Sequence, residues 1–152
     1  MTDLQRPEWD NEKALRKLDR AIQLSLGGFH LIFARCNFDT LREQLIEKLR
    51  KNCEFDFNIL HLKESEKDFY NVIRKESNDG VQVLMIVGLE SLHNLPQFLT
   101  ATNCMHFGEF HNNFPFPSVL WINNDVDQQM KQLAPDFRDW GTTINFPILS
   151  SE

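Results

Sequence analysis

The sequence has little of what several broad classes of protein depend on. It contains only three cysteines, six glycines and six prolines in 152 residues. The cysteines are odd in number and have no C-x-x-C spacing, so neither a disulfide framework nor a zinc knuckle is indicated. The longest unbroken apolar run, Val83 to Val87, is far shorter than the roughly twenty residues that cross a bilayer. No secretion-signal pattern is recognisable either. These absences predict a reduced, cytoplasmic protein.

Basic charge is also scarce. Sixteen Lys and Arg residues stand against twenty-two Asp and Glu residues, which gives a formal net charge of −6. Binding to nucleic acid or to an anionic membrane surface needs a basic stripe, and here the cations are interleaved with acids. We therefore expect neither nucleic acid nor a membrane among the partners.

Apolar residues are plentiful and follow alternating strand-like and helical patterns. Hydrophobic residues make up 41% of the chain and include thirteen phenylalanines, which predicts one domain over residues 1–152 with its core in residues 11–146. Strands are predicted over residues 29–36, 55–62, 81–87, 118–122 and 142–146. Helices are predicted from Asp10 or Asn11 to Gly27-Gly28, from Thr40, over residues 66–75, from Pro96 through Met105 to Phe107, and over residues 126–133.

This alternation predicts an α/β fold with three layers, α/β/α, around a mainly parallel sheet of about five strands. The residues from Thr40 to Glu43 have the pattern of a capping box, which would begin a helix at Thr40. The strand over residues 81–87 is nearly all apolar, so it should be central and covered on both faces. The residues expected on its two faces are Val83, Met85 and Val87 on one and Leu84 and Ile86 on the other.

The first strand and the next helix have the layout of a phosphate-binding loop without its chemistry. The turn between them reads Arg35-Cys36-Asn37-Phe38-Asp39. It has no glycine that would let backbone N–H groups close around a phosphate, and no lysine to reach one. The pattern G-x-x-x-x-G-K-[ST] occurs nowhere in the chain. We therefore expect no catalysis of phosphoryl transfer and no cofactor.

Three longer segments carry a family resemblance. They read GGFHLIFARCNFDTLREQLIEKL, VQVLMIVGLESL and FPSVLWINNDVDQQMKQLAPDFRDWGTTINF. Together they resemble the inactive STAND-like domains, degenerate relatives of the AAA+ and STAND P-loop NTPases found in bacterial multidomain signalling and conflict proteins. The best marks are Gly88-Leu89-Glu90-Ser91 after one strand, and Ala134-Pro135-Asp136-Phe137 with Trp140 after another. The resemblance implies a P-loop NTPase-like fold and a role in bacterial signalling or defence.

The resemblance also implies which parts of the NTPase plan are missing. On that plan, residues 29–36 form the strand before the phosphate loop, residues 81–87 the Walker B strand, and residues 119–122 the strand with a sensor residue. Gly88 and Leu89 stand where the aspartate on the metal side would be expected, which leaves Glu90 alone. His106-Phe107 occupies a stretch where relatives tend to have an Arg-Glu pair. These departures imply a domain that does not hydrolyse nucleotides.

Two function classes follow from these observations. In the first, the domain is a non-catalytic interaction or scaffolding module that binds protein partners or adjoining domains of the same polypeptide. Its contacts would lie at the carboxyl ends of the parallel strands. The candidate contact residues are Arg35, Asn37, Asp39, Glu90 and His93. In the second, the domain is an NTP-binding switch with a vestigial or alternative phosphate site. The candidate residues of that site are Arg35, Thr40, Arg42 and Glu90.

Other clusters have both a chemical and a structural interpretation, and the structural one is favoured in each case. A metal site could be assembled from Cys104, His106, Glu109 and His111 with His93 upstream, but His106 and His111 do not share a helix face. Glu90 could be a general base, although a helix cap or a partner of a backbone N–H is the commoner role. Two of the three tryptophans, Trp121 and Trp140, could mark a cleft, but such residues more often fill a core. The possible nucleophiles Ser91, Ser118 and Cys36 lack a nucleophile elbow.

Overall fold

The computed structural model describes residues 7–147, in which helices and strands alternate. The α-helices are α1 (Pro7–Ser25), α2 (Asp39–Asn52), α3 (Phe69–Glu76), α4 (Leu95–Asn103), α5 (Phe107–Asn113), α6 (Asn124–Leu133) and α7 (Pro135–Asp139). The strands are β1 (Leu31–Arg35), β2 (Asn58–His61), β3 (Leu84–Val87), β4 (Ser118–Ile122) and β5 (Gly141–Asn145). A short 3-10 turn, Leu89–Ser91, follows β3.

The five strands form one all-parallel sheet with the order β2-β3-β4-β1-β5. Helices α1 and α2 pack on one face and helices α3 to α7 on the other, because apolar residues of the strands alternate between two separate clusters. This is the predicted three-layer α/β/α fold. A parallel sheet buried on both faces requires strands that are apolar throughout, and β4 is fully buried along its length.

Aromatic side chains fill the layer that contains α3 to α7. Phe110 contacts the rings of Phe29, Phe69, Phe114 and Trp140 at centroid separations between 5.2 and 5.8 Å. These are ordinary separations for stabilising aromatic pairs. The large number of phenylalanines in the sequence is therefore explained mainly by this one layer.

The prediction for the strand over residues 81–87 is confirmed in its main point. β3 lies inside the sheet between β2 and β4, although β4 occupies the middle position. All four of its residues are buried. The predicted faces are also correct, since the residues alternate between the two clusters. Val83, Met85 and Val87 pack with α1 and α2, whereas Leu84 and Ile86 pack with the other helices.

The predicted starts of α1 and α2 are wrong. α1 begins at Pro7, before Asp10 and Asn11, because the fixed φ of proline suits the first helical position. α2 begins at Asp39, with an extended Phe38 in the capping position and no side-chain cap. The expected capping box at Thr40 is therefore absent, and Asp39 in the first turn supplies the negative charge that the helix N-terminus favours.

The helix predicted from Pro96 to Phe107 is two helices. α4 ends at Asn103 and α5 begins at Phe107, after an extended His106. Contacts with distant residues hold the end of α4: the Thr102 hydroxyl accepts a hydrogen bond from Phe69 N, and the Asn103 side chain accepts one from Phe137 N. The short helix α7 was also not predicted, although the expected stop before Pro135 is correct.

The remaining differences are at element ends. The helix predicted over residues 66–75 spans residues 69–76, and the helix predicted over residues 126–133 begins at residue 124. β1, β2 and β3 are shorter than predicted, and β5 starts and ends one residue earlier than predicted. Phe55 and Phe57, which precede β2, are nevertheless buried in the core. Over residues 7–147, no helix is both long enough and apolar enough to cross a bilayer.

Candidate functional site

The carboxyl ends of β1, β4 and β3 lie side by side, because the strands are parallel and β4 separates the other two. The turns that follow these strands therefore meet at one edge of the sheet. They are the turn over residues 36–38, the segment from Gly88 to Leu92, and Asn123. Sheets of this kind bind ligands at the carboxyl ends of their strands, so this edge is the place to look for a site.

The turn between β1 and α2 has only three residues, Cys36, Asn37 and Phe38. Its backbone is held by a hydrogen bond from Cys36 N to Ile122 O at 2.9 Å. The side-chain oxygen of Asn37 accepts a hydrogen bond from Asn124 N at 2.8 Å, at the start of α6. A turn this short, tied at both ends, has no room to wrap around a phosphate group.

Cys36 does not have the surroundings of a nucleophile. The residue is buried, and its thiol donates to the carbonyl oxygen of Phe38. Burial raises the pKa of the Cys36 thiol above its ordinary value of 9.0. The reactive thiolate is therefore disfavoured near neutral pH.

Arg42 and Glu90 form an ion pair that joins α2 to the 3-10 turn after β3. Arg42 Nη1 lies 3.1 Å from Glu90 Oε2 and 3.7 Å from Asp39 Oδ1. The two main partners are mostly shielded, with side-chain exposures of 14% for Arg42 and 25% for Glu90. Glu90 thus pairs with a side chain; the expectation that it caps a helix or a backbone N–H is wrong, because Gly88 occupies the capping position.

The backbone conformation explains why a glycine, Gly88, occupies the position where an aspartate on the metal side was expected. Its φ of +104° lies in the left-handed region that side chains other than glycine rarely adopt. A Cβ atom there would also lie 3.3 Å from Leu62 N. The chain therefore uses glycine to turn out of β3, and this position offers no carboxylate.

Arg35 belongs to a second ionic cluster, centred on the buried carboxylate of Asp127. Arg35 Nη1 lies 3.0 Å from Asp127 Oδ2, Arg138 Nε lies 2.6 Å from Oδ1, and Lys131 Nζ lies 3.6 Å from Oδ2. Burial by itself would raise the pKa of Asp127. The hydrogen bond and charge of Arg138, with the contributions of Arg35 and Lys131, outweigh it and leave the pKa below the ordinary 3.8. The cluster links β1, α6 and α7.

The four residues of the predicted phosphate site are therefore not assembled as one site. Arg42 and Glu90 meet, but Arg35 is bound to Asp127 instead. Thr40 lies on the exposed side of α2, where it lines a shallow groove with Gln44 and Lys48. Asp127 and Arg138 were missed as site residues, since their only local signal was the i, i+4 spacing of Asp127 and Lys131.

The candidate contact residues have different settings. Asn37 is half-buried by its bond to Asn124, whereas Asp39 is exposed at the first turn of α2. His93 is exposed, and its Nε2 lies 3.1 Å from Glu64 Oε1. Phe38, which sequence reasoning did not single out, has a residue exposure of 46%. The sequence feature that could have identified Phe38 as a surface residue was the presence of an aromatic residue in a polar turn.

The remaining clusters have structural roles. Trp121 is buried, donates its indole N–H to Met85 Sδ at 3.0 Å and stacks on Phe146. Trp140 packs against Phe110 and Phe137. These contacts agree with core packing. In the part of the chain that the structure describes, no three His, Cys, Asp or Glu side chains are grouped so that they could hold a metal ion.

The chain matches no protein-family model, and it matches no curated protein.

The chemistry available at this edge follows from its charges. Arg35 and Arg42 are each paired with a carboxylate, which compensates most of their positive charge, and a phosphate could take over the paired Nη atoms only by displacing Asp127 or Glu90. Breaking a shielded ion pair leaves a poorly solvated charge behind, which is costly. The exposed groups at this edge include the ring of Phe38 and the carboxylate of Asp39.

Proposed function

We propose that this chain is a degenerate P-loop NTPase-like domain of the inactive STAND-like kind, which binds protein partners or adjoining domains and does not catalyse phosphoryl transfer. Its setting is bacterial signalling or defence in the cytoplasm. Nucleic acid and membrane are not among its partners, which is in keeping with the net charge of −6. It needs no cofactor.

One observation carries the proposal: both arginines at the carboxyl edge are already paired with carboxylates. Arg42 contacts Glu90 at 3.1 Å and Arg35 contacts Asp127 at 3.0 Å. In an NTPase, cations at this edge neutralise the phosphates of the nucleotide. Here the charges of both arginines are compensated by carboxylates of the protein itself. The three-residue turn after β1 also supplies no loop of backbone N–H groups around a phosphate.

The order of the strands supports the comparison with the NTPase plan. The strands assigned to the phosphate loop, the Walker B motif and the sensor are β1, β3 and β4, and they are neighbours in the sheet. Their carboxyl ends therefore share one edge. The positions of a nucleotide site are adjacent in space, although the residues that would bind a nucleotide have been replaced.

The surface proposed for contact consists of Asn37, Phe38, Asp39 and His93, which we call the turn face. Phe38 provides exposed aromatic area, Asp39 provides a carboxylate next to it in the chain, and His93 provides an exposed imidazole after β3. The bond of Asn37 to Asn124 N holds the turn in place. A rigid turn loses little conformational entropy when a partner binds, which favours affinity.

Nucleotide binding tests the first half of the proposal. Thermal unfolding of the domain is measured with and without about 5 mM magnesium ATP or magnesium GTP. We expect no change in Tm, because the charges of both arginines at the edge are compensated by carboxylates. An increase of several degrees, or measurable hydrolysis, would instead support the NTP-binding switch.

Cross-linking in cells tests the second half of the proposal, which is that the turn face contacts a protein partner. A photoreactive phenylalanine analogue replaces Phe38, and the same analogue replaces Leu133, another exposed apolar residue at the far end of α6, as the control. We expect protein adducts at position 38 that disappear with Asp39→Lys. Identical adducts at both positions would rule out the turn face. Arg35→Glu is unsuitable here, since it would place a carboxylate against buried Asp127.

A further inference from the structure

The strand β2 presents a free edge. It is the end strand of the sheet and pairs with β3 alone. Hydrogen bonds from Asn58 N to Val83 O and from Leu62 N to Val87 O show which residues face β3. Backbone groups alternate in direction along a strand, so those of Ile59 and His61 point away from the sheet. No strand within residues 7–147 pairs with that side.

Apart from the shortness of β2, which has four residues, this edge lacks the usual protections against strand pairing. The sequence of β2, Asn-Ile-Leu-His, contains no proline and no lysine. Three of its four residues are exposed and the fourth is half-buried. Natural proteins normally protect such an edge with proline, with inward-pointing charge or with a covering segment. An edge left open in this way is suited to pairing with another extended segment.

An apolar groove runs beside the free edge on the side of α2. Its apolar lining is formed by Ile46, Ile59 and Val87, and its volume is about 240 Å³. Ile46 and Val87 are buried, whereas Ile59 has an exposure of 37% because α2 does not reach over β2. An added strand would place alternate side chains in this groove, next to Ile59.

The rim of the groove is acidic. Glu43 and Glu47 of α2 are exposed and line it, and neither forms an ion pair with another residue of the described chain. The one arginine in the lining, Arg42, is neutralised by Glu90. Arg50, further along α2, is held over the ring of Phe57. The groove lining thus carries two carboxylates without an ion-pair partner in the described chain, while Lys48 and Lys51 of α2 line the adjoining surface beside them.

We propose that β2 binds an extended peptide segment of a partner protein as a sixth strand, and that this segment carries an apolar residue followed two positions later by Lys or Arg. The backbone of the segment pairs with Ile59 and His61. Its apolar side chain enters the groove, and the basic side chain, two residues on and therefore on the same face, reaches Glu43 or Glu47. This inference deepens the proposed contact function by naming the chemistry of a partner.

A second copy of the chain fits this edge less well. A copy joined through β2 would bring another acidic domain, also with a net charge of −6, to the groove. It would supply no Lys or Arg from β2 itself, whose sequence has neither. Like charges at an interface oppose association, so a basic partner is favoured over self-pairing.

A synthetic peptide provides the probe. The peptide acetyl-Thr-Ile-Thr-Lys-Thr-Ile-Thr-Lys-amide is titrated into the ¹⁵N-labelled domain and followed by NMR. We expect the largest shifts at the amides of Ile59 and His61 and slower hydrogen exchange there. A peptide with Glu in place of Lys should bind at least about tenfold more weakly. A peptide with alternate N-methylated residues should lose binding, because it cannot pair along the edge.

Protein variants locate the binding. Ile59→Lys should weaken peptide binding about tenfold or more, because it adds positive charge to the groove and removes its apolar contact. Leu133→Lys, at a residue of matching exposure, and Asp39→Lys on the turn face should leave affinity within about twofold of the unmodified domain. The fold of each variant is checked from the same NMR spectra.

Each outcome is decisive. No shift at Ile59 and His61, or equal binding of the Glu peptide, overturns the inference while leaving the turn face and the nucleotide test unaffected. Self-association that Ile59→Lys abolishes would make a second copy the occupant and would overturn the basic partner. Binding of magnesium ATP would count against the proposed function without changing the result of the peptide titration.

Discussion

The guanidinium of Arg42 and the carboxylate of Glu90 lie 3.1 Å apart at the carboxyl edge of the sheet, although 48 residues separate them in the chain. Arg42 Nε is in addition buried without a hydrogen-bond partner. Glu90 is therefore the main counter-charge for a shielded guanidinium. The pair connects the first turn of α2 to the segment after β3, where a nucleotide-binding protein would hold phosphate and metal.

Removing the charge of Glu90 should destabilise the domain. Glu90→Gln leaves Arg42 shielded and poorly compensated, and we expect the free energy of unfolding to fall by about 1–3 kcal/mol. Urea denaturation measures this. The exposed pair of Glu12 and Lys48 is the control, and Glu12→Gln should cost less than about 0.5 kcal/mol. Equal effects of the two changes would show that shielding of the Arg42 pair has no consequence for stability.

The charge of Asp127 should make stability depend on pH at the acidic end. Because its folded-state pKa lies below 3.8, its contribution is present above that pH and is lost as the pH falls through the folded-state pKa. Asp127→Asn should lower the free energy of unfolding by about 2–4 kcal/mol near pH 7, since it leaves Arg35 and Arg138 without a counter-charge.

Urea denaturation of both proteins across pH checks this. The difference in unfolding free energy between them should be constant above about pH 5 and should shrink as the pH is lowered below 3.8. A difference that stays the same down to pH 2, or that grows, would contradict the role given to this carboxylate.

The interior position of β3 predicts a large effect of truncating its side chains. Leu84→Ala removes a fully buried side chain and should cost about 2–5 kcal/mol of unfolding free energy, because a cavity remains. Ile59→Ala, on the exposed face of β2, should cost less than about 1 kcal/mol. Chemical denaturation of both variants measures the contrast. Similar costs for the two would contradict the strand order.

Two glycines should respond in opposite directions to replacement by alanine. A Cβ at Gly141 would lie 2.6 Å from Leu31 O and 2.8 Å from Phe33 Cε2, so β5 would have to move away from β1. We expect Gly141→Ala to cost about 1–3 kcal/mol. Gly108, in α5, has nothing within 4 Å of that position, and Gly108→Ala should stabilise the helix by up to about 1 kcal/mol.

Thermal unfolding separates the two cases, since about 1 kcal/mol shifts the Tm of a domain of this size by about 2–4 °C. A Tm that is unchanged by Gly141→Ala would mean that β5 and β1 are not in close contact at Gly141.

The parts of the fold that could be predicted from the sequence are those with a strong local pattern. β4 has the predicted bounds of residues 118–122, and the two faces of β3 follow from alternation along a wholly apolar run. The break between α4 and α5 had no such pattern. It depends on bonds from Phe69 N and Phe137 N to Thr102 and Asn103, residues more than thirty positions away.

The candidate site was less predictable for the same reason. Because the strands are parallel, the sequence predicts that the turns after β1, β3 and β4 share one edge of the sheet. It does not predict which partner each charged side chain binds. Arg35 forms its ion pair with Asp127, which is 92 residues away in the chain, and not with Glu90, the acidic residue of the predicted site. Which carboxylate is closest depends on helix placement in three dimensions, for which the spacing of residues contains no signal.

The position of β1 has a consequence for how the protein is made. Leu31 pairs with Ser118 on one side and Gly141 on the other, so both neighbours of β1 are synthesised long after it. During translation the apolar residues of β1 therefore have no strand partners until most of the chain has left the ribosome. Such long-range pairing slows folding and exposes an apolar segment to aggregation. Nascent chains that end before β5 should therefore depend on chaperones, and only chains that include it should be released in a folded form.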